Sequence, residues 1–143
     1  MKFWDSSAIV PLLAEEPATS SVLGLYREDP LVFVWWATEV ECVSALARLE
    51  RQGSISPISL VAALQRLRAL KSRWQEVQPV EALKEIANRL LRVHNLRAAD
   101  SLQLAAAIVA SEHRPSSVDF VCLDERLTAV AQREGFIVVM PGR

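Results

Sequence analysis

Sulfur and imidazole are scarce in this chain: 143 residues hold two cysteines, Cys42 and Cys122, and two histidines, His94 and His113. The cysteines form no C-x-x-C pair and the histidines lack zinc-ligand spacing, which argues against a disulfide framework and a structural zinc site. Two reduced, buried thiols fit a cytoplasmic setting. Long apolar runs are missing as well. The N-terminus reaches Asp5 where a secretory signal would need an apolar stretch, and Leu102 to Ala110 is far short of a bilayer span. A soluble protein with no membrane partner is expected. There is no excess of positive charge either: the formal net charge of −1 argues against a surface that grips nucleic acid everywhere, while leaving room for a local basic patch. Low-complexity segments and internal repeats are absent. With 51% hydrophobic residues, the chain should fold throughout as one domain, residues 1–143.

What is present is an alternation of short apolar runs and helical periodicity. Lys2 to Trp4 reads as a strand ending at Asp5, with Ser6 and Ser7 offering N-caps to a helix through Leu13. Pro17 suits the first turn of a second helix through Tyr26, closed by Asp29-Pro30 ahead of a β-rich run, Leu31 to Trp36. Thr38 opens a helix to about Gln52, stopped by Gly53, and Ser56-Pro57 opens another to about Arg73. A weak strand spans Glu76 to Val80, and helices follow over Glu81 to Val93 and Ala98 to Ala110. Asp119 to Leu123 reads as a buried strand, Asp124 to Glu134 as a helix with Gly135 beyond it, and Phe136 to Met140 as a last strand. The alternation predicts an α/β fold, a parallel sheet of about five strands between two helical layers.

Four carboxylates, Asp5, Glu41, Asp100 and Asp124, stand where strand or loop hands over to helix. Asp5 and Asp124 each follow a strand, at the carboxyl edge where open α/β sheets bind ligands. Each also has a plainer reading as the N-cap of the helix that follows. Glu41 completes Thr38-Glu39-Val40-Glu41, a capping-box pattern, so taken alone it reads as structural. Glu39 points about 200° away around the helix, so only one of the two can face a given site. Asp100 shares a helix face with Leu104, Ala107 and Ile108, where an unpaired buried charge would cost far more than the helix dipole returns. Together these acids would repel one another and raise one another's pKa values unless a cation lay between them. Hard oxygen ligands without His or Cys suit Mg²⁺, or Mn²⁺ in its place. Spacing alone does not bring Asp100 to the same edge as Asp5.

Four blocks carry a resemblance. Phe3-Trp4-Asp5-Ser6-Ser7-Ala8, the run from Glu41 to Arg48, the run from Leu96 to Ala107, and the run from Phe120 to Leu127 together resemble the PIN-domain nucleases, particularly the VapC toxins of toxin–antitoxin pairs. The resemblance implies a three-layer α/β/α PIN-like fold and a Mg²⁺-dependent endoribonuclease. Asp5, Glu41, Asp100 and Asp124 fall on the family's acidic positions, with Asp5, Asp100 and Asp124 expected on the metal and Ser7 supporting the site. It further implies an RNA substrate, a VapB-type antitoxin and a homodimer. Cys122 stands where many relatives carry Thr or Ser, and Gln103 where His is frequent.

Arg66, Arg68, Lys71 and Arg73 with Trp74 form the densest basic stretch, a candidate guide for RNA phosphate or a stacking surface for a base, or simply an exposed helix face. Val22, Leu23, Leu25, Tyr26, Leu60, Leu64 and Leu67 are candidates for partner contacts, with core packing as the plainer use. Two rival functions stand beside the nuclease. A receiver-like phosphoacceptor would want an early acidic pair and a late Lys, and no Lys follows Lys84. A catalytically inactive PIN-like domain would bind without cutting.

Overall fold

Short runs of three or four residues, apolar in all but β3 (Gln75–Val77), form the strands, each too brief to be stable outside the sheet. The computed structural model describes residues 1–142. In chain order the elements are β1 (Lys2–Trp4), α1 (Ser6–Leu13), α2 (Thr19–Glu28), β2 (Val32–Trp35), α3 (Thr38–Arg51), α4 (Pro57–Lys71), β3 (Gln75–Val77), α5 (Glu81–Val93), α6 (Ala98–Ala110), β4 (Asp119–Val121), α7 (Glu125–Arg133) and β5 (Ile137–Val139), with a 3₁₀ turn at Pro115–Ser117. The strands run in the order β3-β2-β1-β4-β5, and every pairing is parallel. The expected five-stranded parallel sheet between helical layers is therefore present. The first half of the chain winds from β1 outward to β3; the second returns to the centre at β4 and winds the other way. The reversal lies between β1 and β4, where a crevice opens beyond the strand ends.

Period-two alternation divides the core in two. Phe3, Trp35 and Phe120 point to one face and pack with Leu83, Leu90, Leu104, Leu127 and Val130 of α5, α6 and α7. Trp4, Val32, Val34 and Val121 point to the other and pack with Ile9, Leu13, Leu46 and Leu67 of α1, α3 and α4. Phe3 and Phe120 stack across the central strand pair with centroids 5.8 Å apart.

The expected boundaries shift by a few residues at several ends. The second helix starts at Thr19 rather than Pro17, because the Thr19 hydroxyl accepts from Glu16 N–H and donates to the Pro11 carbonyl, holding the preceding turn out of the helix. The third strand is Gln75–Val77 rather than 76–80, and the last two are trimmed to Asp119–Val121 and Ile137–Val139. The strand register limits them: β3 pairs only where β2 runs beside it, from Phe33 to Trp35.

Gly53 and Gly135 end α3 and α7 as expected. Each adopts positive φ, +75° and +99°, and the next residue reaches back to the helix, Ser54 N–H to Leu49 and Phe136 N–H to Ala131. Gly24 differs, lying inside α2 with open space where a Cβ would stand. Two alanine substitutions should therefore have opposite signs. Gly53→Ala should destabilise by about 1–2 kcal/mol through left-handed strain alone, and Gly24→Ala should stabilise by about 0.5–1 kcal/mol. Urea midpoints of the two variants check this, and equal signs would contradict it.

Candidate active site

Asp5 follows β1 directly, and its backbone N–H donates to the Val121 carbonyl of β4, so it is tied to both central strands. Its side chain is the N-cap of α1, accepting from Ser7 N–H at 3.1 Å. Ser6 and Ser7, expected to cap this helix, do not. Ser6 Oγ instead donates to Glu41 Oε1 at 2.8 Å, and Ser7 Oγ accepts from Leu123 N–H at 2.9 Å, joining α1 to the segment after β4. Capping and site-lining are thus compatible in Asp5, and the same holds for Asp124, which caps α7 by accepting from Leu127 N–H at 3.0 Å.

The capping box at Glu41 does not form. Ala37 is the N-cap of α3 and makes no side-chain cap hydrogen bond, while Thr38 lies fully buried inside the helix. Glu41 is turned away from its own helix start: Ser6 Oγ and Gln103 Nε2, the latter at 3.1 Å, both donate to Oε1. Glu39 faces elsewhere and pairs with Lys71 at 3.0 Å. Gln103 lies one turn beyond Asp100 on α6, so a single helix face presents the acid and the amide that braces Glu41. In the sequence Gln103 stands out only as a departure from relatives, and Ser6 only as a candidate cap.

Asp5, Ser7, Glu41, Asp100 and Asp124 line one cleft of about 490 Å³, together with Ser6, Val10, Ser44 and Arg48 among others. Asp100 thus reaches the same edge as Asp5, because α6 starts at the carboxyl end of the sheet and runs back toward the start of β4. Asp119, at the other end of β4, pairs in register with Lys2 and stands away from the cleft. A larger groove of about 760 Å³ lies between α1, α2 and α4, but among the described residues its charged lining is Glu15 and Arg66.

The cleft is electrostatically uncomfortable. Burial pushes the Asp5 carboxyl up to about 6; hydrogen bonding from Ser7 opposes this, and the negative charges of Glu41 and Asp100 add to it. Glu41 is raised by burial, against the opposing hydrogen bonds of Gln103 and Ser6, with Asp100 adding repulsion. Asp100 is raised by burial and then by Asp124, while Arg97 and Arg126 pull it down. Cys122 lies within the same network, its Sγ 3.7 Å from Asp5 Oδ2 and 3.3 Å from Asp124 N. Burial pushes this thiol up to about 12, so it stays a neutral donor.

The donor set tests the cation expected from the sequence. The acids and the neighbouring serine hydroxyls are hard oxygens, and like charges already raise three of the carboxyls. Among the described residues, no three His, Cys, Asp or Glu side chains form a ready-made metal cage. Oxygen donors of this kind suit Mg²⁺, which takes carboxylates for part of its shell and fills the rest with water and substrate phosphate.

The basic stretch at 66–74 is partly committed elsewhere. Trp74 is buried and donates to Glu76, so it cannot stack on a base; Arg66 donates to the Leu13 carbonyl and Lys71 to Glu39. Val22 and Leu67 are likewise core residues. Among the described residues, no helix is long and apolar enough to cross a membrane.

The sequence model described as PIN domain matches residues 2–132. No curated protein matches the chain. In structure it is similar to FitAcB from Neisseria gonorrhoeae, with a TM-score of 0.67 at 18% identity over 99% of this chain and 98% of that one. It is similar to FitAB bound to the IR36 DNA fragment, with a TM-score of 0.68 at 17% identity over 100% and 96% of the two chains. It is also similar to PAE2754 from Pyrobaculum aerophilum, with a TM-score of 0.64 at 20% identity over 96% and 88%. At such identities these likenesses speak for the fold.

A stability measurement follows from Asp5. Its folded pKa lies above the ordinary value of 3.8, so between about pH 4 and 6 the folded state binds more protons than the unfolded one, and stability falls as pH rises. Keeping Asp5 ionised at pH 7 costs the metal-free fold about 3 kcal/mol. In EDTA, Asp5→Asn should be more stable than wild type at pH 7.5, with the gap narrowing toward pH 5. Urea titrations at both pH values check this, and a destabilised variant at pH 7.5 would contradict it.

Proposed function

The chain belongs to the PIN domain family, and from that premise we propose that it is a Mg²⁺-dependent endoribonuclease, with Mn²⁺ as a substitute, acting as the toxin of a VapBC-type pair. The observation that carries this reading is the single cleft lined by Asp5, Glu41, Asp100 and Asp124 at the carboxyl end of the sheet. Residues 1–143 act as one catalytic unit in the cytoplasm, as a homodimer silenced by a cognate VapB-type antitoxin.

Asp5, Asp100 and Asp124 would hold the cation, with Glu41 directly or through water. When bound, the ion polarises water and offsets negative charge on the phosphodiester being cut. The chain's own residues do the positioning. Ser7 N–H fixes one Asp5 oxygen, and the Ser7 hydroxyl ties that helix start to Leu123. Ser6 and Gln103 donate to the same Glu41 oxygen, leaving Oε2 for the cleft. The Asp124 cap bond uses Oδ1 and leaves its second oxygen available. Asp5, Glu41 and Asp124 are thereby each held with an oxygen left for the cleft.

The open spacing of the acids favours one second reading, a PIN-like module that binds RNA without cutting it. Asp100→Asn separates the two. The variant should retain its far-UV circular dichroism and lose Mg²⁺-dependent cleavage of single-stranded RNA by more than about 100-fold, beyond the loss typical of groups that only support a metal ligand. Full activity in the folded variant would reject the assignment. Wild-type binding without cleavage of any RNA would select the module.

A further inference from the structure

Three arginines flank the acidic cleft, and none of them comes from the basic stretch of α4. Arg48 lines the cleft that contains Asp5, Glu41, Asp100 and Asp124. Arg97 and Arg126 line a second cleft of about 610 Å³, together with Ala99 and Glu125, and this cleft shares Asp100 and Asp124 with the first. The two clefts meet at Asp100 and Asp124, with Arg48 lining only the first and Arg97 and Arg126 lining only the second. Arg48 is seven residues along α3 from Glu41, which is two turns and about 10 Å on the same face.

Apart from the charge that Arg97 and Arg126 set against Asp100, fold stability does not account for these positions. Arg97 is the N-cap of α6 and Arg126 lies in the first turn of α7, ends at which the helix dipole disfavours a cation. All three side chains are exposed, and among the described residues none takes part in an ion pair. Asp5, Glu41, Asp100 and Asp124 put negative charge where the two clefts meet that would repel RNA phosphate, and a bound cation would offset it, leaving the guanidiniums for the strand.

We propose that Arg48 on one side, and Arg97 with Arg126 on the other, form a two-sided phosphate clamp that lays single-stranded RNA across the acids with flanking phosphates held on both sides of the cut. The clamp rests on the nuclease reading for the position of the scissile phosphate, and it adds the substrate requirement: a strand that continues in both directions. Arginine suits the role because its planar fork bonds phosphate oxygens in pairs.

The test is the salt dependence of RNA binding. An eight-nucleotide fluorescent single-stranded RNA is titrated by anisotropy in CaCl₂ at several KCl concentrations, and cleavage is measured separately in MgCl₂. The slope of log K against log salt should fall by about 0.7 in Arg48→Ala and by about 1.4 in Arg97→Ala/Arg126→Ala, for one and two lost phosphate contacts. Arg114→Ala, beyond the far end of α6, should leave the slope at the wild-type value. Unchanged slopes in the first two variants, an equal fall in Arg114→Ala, or no RNA binding by wild type would each overturn the clamp. Wild-type binding with the expected slopes but no cleavage would uphold the clamp and reject the nuclease reading. Cleavage with unchanged slopes would do the reverse.

Discussion

Like-charge repulsion at the carboxyl end of the sheet is the constraint on which the site depends. Four carboxylates share one cleft here, and like charge adds to burial in raising three of them. The fold tolerates this by spending donors on them. Ser7 N–H serves Asp5, Ser6 and Gln103 serve Glu41, and Leu127 N–H serves Asp124. These bonds reduce the strain without removing it, since burial and mutual repulsion still raise Asp5, Glu41 and Asp100. A packed domain that keeps such an arrangement has a use for unsatisfied negative charge.

Topology gathers the acids. Because the winding reverses between β1 and β4, the segments leaving those strands diverge to opposite faces and leave a crevice carrying Asp5 and Asp124. Helix α3, packed beneath α1, brings Glu41 in from one side, and α6, packed against β2, brings Asp100 in from the other. Gln103 crosses between them, tying the two helical layers together at the rim through Thr38 and Glu41. The same residues that seal the core around the sheet end therefore set the orientation of the acids.

Much of this could be read from the residues in order. Strand-then-acid spacing located Asp5 and Asp124, and the apolar face of α6 showed that Asp100 could not be an ordinary surface charge. The helix and strand pattern was clear where apolar runs or helical periodicity are marked, and weakest at the third strand, which is only Gln75–Val77. Three things were hidden. The direction of α6 was hidden because two helices lie between β3 and β4, and counting does not say at which edge the second begins. Glu41 was masked by a local capping pattern that tertiary bonds from Ser6 and Gln103 override. Arg48, Arg97 and Arg126 are isolated in sequence and come to line adjoining clefts only in the fold, whereas the conspicuous cluster at 66–73 is partly spent on Leu13 and Glu39.

The most direct measurement is Mn²⁺ binding to the wild-type protein, followed by loss of the free-ion electron paramagnetic resonance signal alongside the thermal midpoint. If the carboxylates are strained for want of a cation, binding should saturate and the midpoint should climb with Mn²⁺, reaching about 2.7 kcal/mol of added stability at one hundred times the dissociation constant. A free-ion signal undiminished at millimolar protein, with an unmoved midpoint, would contradict it.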